Sequence, residues 1–518
     1  MPSHFGLMQV NYSLAFLALV GLAARLAFIR VAAHSRVDHY YWLMAARAYR
    51  QMEQLPARIP AKYLLENEEQ AYPPFFGWLL ARFSEESLRR LAPYLSTIAD
   101  SLVLLAIISF LSLQGVSLAG ILAAVAVYLL APVLINYNTQ LNSRVFGQLF
   151  LVVSLLSQVG ATFALTEWGG LALWILATIT AALVILTHKM TTQLMLFMWP
   201  FWAFYLDSSM GWFIPPLGIL LATVVTGPRF ALYQWRGHWD IVRFWYRHWR
   251  QLGAHQFLHS PIYGDPSRLC ESAFHRPGWQ GVWQHLRKVI AYAPANLILI
   301  AYFLATPMSF PIWLIVWLMA TYLFSLLTLF VNPLKCLGGG HYYIFNAVAP
   351  GAMGWAYASN LSPSSFMTWF LVALALNIVA LYFAWHIVAG RKFGLDHDLQ
   401  AIIARLRDIP KGNVAVFPLT AAESVAFHTP HAVLWGGHGY GFCRLEGFWP
   451  VVDQPLSPFL KKNRIGFIVW NEEYFPKAES VLHAEGMRLK LLAQEGKWRL
   501  ARIIGGDGGK TDNIKQAH

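Results

Sequence analysis

The sequence predicts a polytopic α-helical membrane protein with about eleven transmembrane helices and a small C-terminal α/β soluble domain. Of its 518 residues, 57% are hydrophobic and only 13% are charged, whereas soluble domains carry about 25% charged residues. Apolar stretches close to the roughly 20 residues that cross a bilayer recur as far as Gly390. Beyond Arg391 and Lys392 the apolar runs become short and β-branched, which is typical of strands.

The transmembrane domain is expected over 1–390, with two long polar loops at 34–93 and 227–289. The predicted spans are 12–31, 94–113, 117–135, 146–165, 171–186, 193–206, 212–225, 290–305, 310–331, 342–358 and 366–388. Because their number is odd, the two termini are expected on opposite sides of the membrane. Both long loops then share one side with the C-terminal domain and most titratable turns, so we expect the chemistry on that side.

Residues 391–505 are expected to form the soluble α/β domain with a mostly parallel sheet, because short apolar runs alternate with helix-like segments. The predicted strands are 413–418, 432–435 and 465–470, followed by a hairpin of 487–492 and 498–503. The polar residues 506–518 are predicted to be a disordered tail.

The net charge is +13, from 39 Lys and Arg against 26 Asp and Glu. Most basic residues lie in loops, so anionic membrane lipids or a phosphorylated lipid substrate are the expected partners, and nucleic acid is not. The three cysteines, Cys270, Cys336 and Cys443, include no Cys-x-x-Cys pair. The sequence therefore indicates neither a disulfide framework nor a zinc site.

Two short elements stand out in the first long loop. Asp-His-Tyr-Tyr begins at Asp38, directly after the first predicted span, and Tyr-Pro-Pro-Phe begins at Tyr72, ahead of a predicted helix. A carboxylate at the membrane surface could act as a general base or hold a metal ion. Asp38 could equally cap a helix that begins at His39, and the two roles are compatible.

These two elements resemble the first exoplasmic loop of the GT-C glycosyltransferases. That superfamily includes protein mannosyltransferases, aminoarabinose transferases and oligosaccharyltransferases, which use polyprenyl-phosphate or polyprenyl-diphosphate sugars. The resemblance implies a catalytic role for Asp38, and His39 and Tyr72 are candidate substrate-binding residues beside it. The sequence lacks the Trp-Trp-Asp-Tyr-Gly motif of oligosaccharyltransferases, which disfavours transfer of an oligosaccharide to asparagine.

Further candidate substrate-binding residues lie in the other turns of the same predicted side. Amides can bind sugar hydroxyls, and a guanidinium or ammonium group can pair with a phosphate. Glycines before a basic–aromatic pair let the backbone approach a ligand closely. The same residues could instead anchor helix ends at the interface. The candidates are Asn138, Asn142, Arg144, His188, Lys189, Lys335, His341 and Tyr342.

The second long loop, 227–289, is rich in tryptophan, arginine and histidine. Its segment 239–249 suits an amphipathic helix lying in the membrane interface. The alternative is a lid over the active site, with aromatic rings that stack on sugars.

The expected function is therefore an inverting sugar transfer from a polyprenyl-phosphate or polyprenyl-diphosphate donor to a hydroxyl of a lipid, glycan or protein acceptor. A divalent cation, Mg²⁺ or Mn²⁺, stays open as a cofactor. The resemblance places the site on the periplasmic or extracellular side of a cell membrane, whereas basic residues in short turns such as Arg144 and Lys189 favour the cytoplasm. The alternatives are a lipid or polysaccharide transporter or flippase and a polymerase of lipid-linked polysaccharide.

Overall fold

A computed structural model describes residues 16–17, 19–30, 37–52, 55, 63–64, 71–138, 140–206, 208–252, 256–268, 278–306, 310–361, 363–390, 396–435 and 441–504. The predicted tail at 506–518 lies outside these residues. The chain divides into two compact units. The membrane unit comprises Met1–Arg58, Gln70–Trp249 and Arg276–Gly394, and the sheet unit comprises Ile59–Glu69, Arg250–His275 and Leu395–His518.

The regular elements in the described part of the membrane unit are helices. After α1 (19–30), its helices are α2 (Val37–Gln51), α3 (Phe75–Ala81), α4 (Glu85–Leu113), α5 (Leu118–Leu129), α6 (Pro132–Asn138), α7 (Arg144–Thr162), α8 (Glu167–Ile185), α9 (Lys189–Leu206), α10 (Ser209–Thr226), α11 (Pro228–His248), α12 (Trp279–Tyr292), α13 (Pro294–Ala305), α14 (Ile312–Phe330), α15 (Val348–Leu361) and α16 (Pro363–Gly390). Two 3₁₀ helices, Asn332–Leu337 and Gly340–Ala347, connect α14 to α15.

Six of the described helices are long and apolar enough to cross a membrane: α4, α7, α8, α10, α14 and α16. The count rises to eight if two bent pairs, α5 with α6 and α12 with α13, are each one span. This is three fewer than the predicted eleven. The predicted span 12–31 extends beyond the described residues, α9 carries Lys189 and Gln193 near its start, and the span at 342–358 divides into a 3₁₀ helix and the 14-residue α15.

The spanning helices expose large apolar side chains on their outer faces. Ile98, Leu102 and Leu105 of α4 are each about half exposed, and Val224 of α10 is 70% exposed. Contiguous apolar surfaces of this kind are unfavourable in water but not in contact with hydrocarbon. The outer faces are therefore suited to lipid.

A charged pair is buried between the first helices of the membrane unit. Arg25 of α1 forms an ion pair with Asp100 of α4, and both side chains are almost fully buried. The Tyr128 hydroxyl of α5 donates a hydrogen bond of 2.6 Å to Asp100, and Arg25 donates to the Tyr128 carbonyl at 2.9 Å. This polar triad attaches α1 to α4 and α5.

The described residues of the sheet unit form five strands in the order β2-β1-β3-β5-β4. The strands are β1 (Asn413–Phe417), β2 (Ala432–Val433), β3 (Phe467–Asn471), β4 (Arg488–Glu495) and β5 (Trp498–Ile504). β2, β1 and β3 are parallel, while β5 and β4 are antiparallel additions, so the sheet is mixed rather than mostly parallel. Its helices are α17 (His397–Arg407), α18 (Ala422–His428), α19 (Leu456–Lys462) and α20 (Ala478–Ala484).

Two segments from the long loops belong to the sheet unit. Tyr63 forms a parallel bridge with Val433, and its hydroxyl donates a hydrogen bond of 2.8 Å to the buried Glu423 carboxylate. Phe257 stacks on Phe475 with ring centroids 3.7 Å apart. Each long loop thus contributes a buried aromatic residue to the sheet unit, which was not predicted from the sequence.

Candidate functional site

The Tyr-Pro-Pro-Phe element lies at the end of a spanning helix. The backbone N–H of Phe75 donates a hydrogen bond of 2.8 Å to the carbonyl of Leu186, the residue directly after α8. Tyr72 packs edge-on against Trp42 of α2, with ring centroids 5.3 Å apart. The Asp-His-Tyr-Tyr and Tyr-Pro-Pro-Phe elements of the first loop are therefore neighbours in the membrane unit.

Tyr72 lies among groups that can recognise a polar ligand. Its hydroxyl is 3.3 Å from the Ser143 hydroxyl, and the Lys189 ammonium is 5.0 Å from the centre of its ring. Burial raises the pKa of Tyr72 to about 12; Asp38 contributes to the rise, while the Ser143 hydrogen bond and Arg144 oppose it. The phenol consequently stays protonated at neutral pH and can donate a hydrogen bond.

Arg144 begins α7 and lies between two aromatic rings. Its guanidinium carbon is 4.4 Å from the centre of the Tyr137 ring and 5.0 Å from that of Tyr342. Burial raises the pKa of Tyr342 to about 12, Tyr137 and Asp38 add to the rise, and Arg144 lowers it. Within the described part of the chain, the Nη1 atom of Arg144 is buried without a hydrogen-bond partner.

Asp38 is the second residue of α2 and lies in its first turn, where the helix dipole favours a carboxylate. Its charge acts on both Tyr72 and Tyr342, the same two phenols on which Arg144 acts. The side chain is partly accessible. Asp38 is thus a carboxylate within electrostatic reach of residues from two distant segments of the chain, Tyr72 and Tyr342.

His341 belongs to the basic–aromatic pair His341–Tyr342, but its side chain is not a cation. It packs against Tyr342 and Tyr292, with ring centroids 4.2 Å and 5.3 Å away. Burial lowers its pKa well below the usual value, and the positive charges of Lys288, His285 and Arg144 lower it further. His341 is therefore a neutral hydrogen-bonding group at neutral pH.

Four other predicted residues make local contacts. The Nδ1 of His188 is 2.8 Å from the Thr191 hydroxyl, and Asn142 closes a turn by accepting a hydrogen bond of 2.9 Å from the Arg144 backbone N–H. The Lys335 ammonium lies 4.7 Å from the Trp249 ring centre, and the His39 ring contacts Tyr40. These contacts are compatible with structural roles, and the predicted substrate-binding roles of these residues stay predictions.

Asn138 is a different case. Its side chain is 2% exposed, and neither of its amide atoms has a hydrogen-bond partner among the residues that the structure describes. A buried amide left in this state is unfavourable, so it is suited to a polar ligand.

Two residues of this cluster, Tyr137 and Ser143, were not predicted from the sequence. Tyr137 contacts Arg144 and Tyr342, and its hydroxyl is 3.1 Å from that of Tyr292. Ser143 is the hydroxyl next to Tyr72. Both residues lie in the segment that contains the predicted residues Asn138 and Arg144. Their position next to these predicted residues was the sequence signal that could have revealed them.

The described residues do not suit a protein-built divalent cation site. In that part of the chain, no group of three or more His, Cys, Asp or Glu residues comes close enough to hold a metal. Mg²⁺ usually takes one or two carboxylates together with water and substrate phosphates. Asp38 acts on Tyr72 together with Arg144, and the Lys189 ammonium lies 5.0 Å from the same ring, so side chains supply the positive charge of this cluster.

The described fold is GT-C-like, because it is similar to the folds of solved membrane proteins of that type. The chain is similar to ArnT from Cupriavidus metallidurans bound to undecaprenyl phosphate, with a TM-score of 0.59 and 12% identity over 96% of this chain and 99% of that one. The apo state of the same ArnT gives a TM-score of 0.58 and 12% identity, covering 94% and 97% of the two chains.

The Archaeoglobus fulgidus oligosaccharyltransferase, tethered to an acceptor peptide that contains the NVT sequon, is also similar. Its TM-score is 0.58 and its identity 13%, over 91% of this chain and 70% of that one. No protein-family model and no curated protein sequence matches the chain. The predicted GT-C-like fold is confirmed by these structures. Sequence identities of 12–13% support the fold and nothing more specific.

Proposed function

We propose that this protein is an inverting glycosyltransferase that moves a sugar from a polyprenyl-phosphate or polyprenyl-diphosphate donor to an acceptor hydroxyl. The observation that carries the proposal is one polar cluster: the Arg144 guanidinium lies over the Tyr342 ring and the Lys189 ammonium over the Tyr72 ring. The Asp38 carboxylate raises the pKa of both phenols. A carboxylate and a guanidinium at one polar cluster supply the two charges that such a transfer needs.

The solved relatives support the donor class. One of them is a GT-C protein bound to undecaprenyl phosphate, and another holds an acceptor peptide. The lipid tail of such a donor must remain in hydrocarbon, so its phosphate lies at the membrane surface. Arg144 is the first residue of the spanning helix α7, and the Tyr72 hydroxyl is 3.3 Å from that of Ser143, the residue directly before α7.

The proposed reaction is a single displacement at the anomeric carbon. The acceptor oxygen forms the new bond to this carbon while its proton passes to the Asp38 carboxylate. The bond between the anomeric carbon and the phosphate oxygen breaks, and its electron pair leaves with the lipid phosphate. Arg144 and Lys189 stabilise the negative charge that develops on that phosphate.

The neutral groups orient the substrates. Tyr72 and Tyr342 keep their protons at neutral pH, because the pKa of each is raised to about 12, and they donate hydrogen bonds. The buried amide of Asn138 is suited to a sugar hydroxyl. We assign the site to the exoplasmic side, following the resemblance of the first loop.

The test uses the purified full chain in detergent with a panel of polyprenyl-phosphate and polyprenyl-diphosphate sugars. We expect transfer from at least one donor, and a loss of about 10²- to 10⁴-fold in Asp38→Asn, the range typical of a general base. The matched control is Asp453→Asn, an exposed aspartate of the sheet unit. Full activity of purified Asp38→Asn would contradict the assignment of the base.

A further inference from the structure

The outer face of α11 has a regular composition. Positions seven apart lie within about 20° of one another on a helix. Arginines recur at this spacing and large apolar residues follow each of them by three positions: Arg229, Arg236 and Arg243 with Leu232, Trp239 and Tyr246. All three arginines are exposed, and the apolar residues are 51%, 66% and 58% exposed, respectively.

The opposite face of α11 packs against the membrane unit. Phe230, Gln234, Gly237 and Phe244 are buried there. Gln234 donates a hydrogen bond of 3.1 Å to the carbonyl of Ile185, at the end of α8. The exposed arginines and aromatic residues are therefore not needed to hold the helix in place.

The position of α11 in the chain connects this face to the lipid-facing surface. A single residue, Gly227, separates the spanning helix α10 from the start of α11. Val224 and Val225, near the end of α10, are 70% and 55% exposed. Apolar exposure therefore continues from a membrane-spanning helix into the start of α11.

An open cavity of about 500 Å³ lies where these elements meet. Its walls are mainly apolar, from Met52, Leu55, Trp78 and Phe230, and Arg229 stands among them. A groove of this composition fits a molecule with a hydrocarbon chain and an anionic head.

We infer that the outer face of α11 binds anionic phospholipids of the bilayer. The arginines pair with lipid phosphates, the apolar residues enter the boundary between headgroups and acyl chains, and the cavity beside Arg229 takes an acyl chain. Asp240 is the single acidic residue of the helix and lies in the arginine stripe, which leaves an excess of positive charge from its four arginines. This site is separate from the proposed sugar transfer and does not depend on it.

The test is native mass spectrometry of the full chain, titrated separately with phosphatidylglycerol, phosphatidylcholine and a short polyprenyl phosphate. The variant Arg229→Gln/Arg236→Gln/Arg243→Gln should bind phosphatidylglycerol about ten- to a hundredfold more weakly, because each surface cation contributes modestly and additively. Phosphatidylcholine binding should change little. The corresponding Arg→Lys variant should keep the preference for phosphatidylglycerol, since it keeps the charge.

The matched control is Lys461→Gln/Lys462→Gln/Lys490→Gln, which removes three exposed cations from the sheet unit. The inference is overturned if this control loses as much affinity as the α11 variant, because net charge alone would then explain the effect. It is also overturned if the α11 variant keeps its phosphatidylglycerol affinity and loses only polyprenyl phosphate. Equal melting temperatures of variant and parent in zwitterionic detergent exclude misfolding as the cause.

Discussion

At the scale of single residues, side chains of opposite charge lie close to a few protonated tyrosines. Arg144 lies over the rings of Tyr137 and Tyr342, an arrangement that a planar guanidinium makes better than an ammonium. Asp38, from α2, raises the pKa of Tyr342 and also that of Tyr72. The roles proposed for Asp38 and Arg144 rest on their opposite charges and on the planar shape of the guanidinium.

The first residue-scale prediction concerns Arg144. Arg144→Gln should lower kcat for the polyprenyl-phosphate donor about a hundredfold or more, as expected for loss of a group that stabilises developing negative charge. Arg144→Lys should recover only part of this, since lysine cannot stack on both rings or form a forked contact. Steady-state kinetics checks both, with Arg82→Lys on the exposed surface as the control. Equal kcat in Arg144→Lys and the parent would contradict the stacked role.

A second prediction concerns the stability of the membrane unit in acid. Burial, aided by the charge of Lys189, lowers the pKa of His238 from 6.5 to about 4. Between these values the unfolded chain binds the proton and the folded chain does not, so stability falls as pH decreases. The loss from this residue is about 3 kcal/mol at most.

The measurement is the melting temperature of the detergent-solubilised protein as a function of pH. His238→Gln should show a shallower decline below pH 6.5 than the parent. His483→Gln, at an exposed position of the sheet unit, should leave the curve unchanged. A His238→Gln curve parallel to that of the parent would refute the assignment.

At the scale of secondary-structure elements, the buried Arg25–Asp100 pair determines how α1 packs. Ionisable residues inside a membrane are unfavourable unless paired, and here each charge has its partner as well as hydrogen bonds from or to Tyr128. The close approach of α1 to α5 at Gly21 is part of the same contact, because a Cβ there would lie 2.6 Å from that of Leu129. The pair therefore sets which face of α1 meets α4 and α5.

The element-scale prediction separates pairing from burial. Arg25→Leu or Asp100→Leu alone should destabilise the protein by about 3–5 kcal/mol, because each leaves an uncompensated buried charge. The double variant Arg25→Leu/Asp100→Leu should recover most of that loss, since it removes both charges. Thermal unfolding in detergent reports the difference. Additive losses in the double variant would show that the charges do not stabilise each other.

At the scale of the whole molecule, the chain passes repeatedly between its two units. The first loop leaves the membrane unit after α2, contributes Tyr63 to the sheet unit, and returns to place Tyr72. The second loop does the same through Phe257. The sheet unit is therefore built from three separate parts of the chain, and both long loops are fixed at their middle.

The whole-molecule prediction concerns sidedness. In a background with all three cysteines replaced by serine, Gln51→Cys should react with a membrane-impermeant maleimide in intact cells, since the first loop is assigned to the exoplasmic side. Glu167→Cys, at the exposed start of α8, lies on the opposite predicted side and should react only after permeabilisation. The reverse labelling pattern would place the site in the cytoplasm, as the short basic turns favour.

The sequence alone determined the membrane character, the helical segments and the GT-C-like plan, because these depend on local composition and on motifs that are continuous in the chain. It also predicted Asp38, Tyr72, Arg144, Lys189 and Tyr342 as site residues, since polar residues beside apolar spans are conspicuous, and their roles stay predictions. Tertiary structure decided which of these residues share a cluster, and it brought Tyr137 into contact with Arg144 and Tyr342. Contacts between distant turns leave no local pattern in the sequence. The neutral state of His341 and the pairing of Arg25 with Asp100 likewise arise from burial and neighbours, which exist only once the helices have packed.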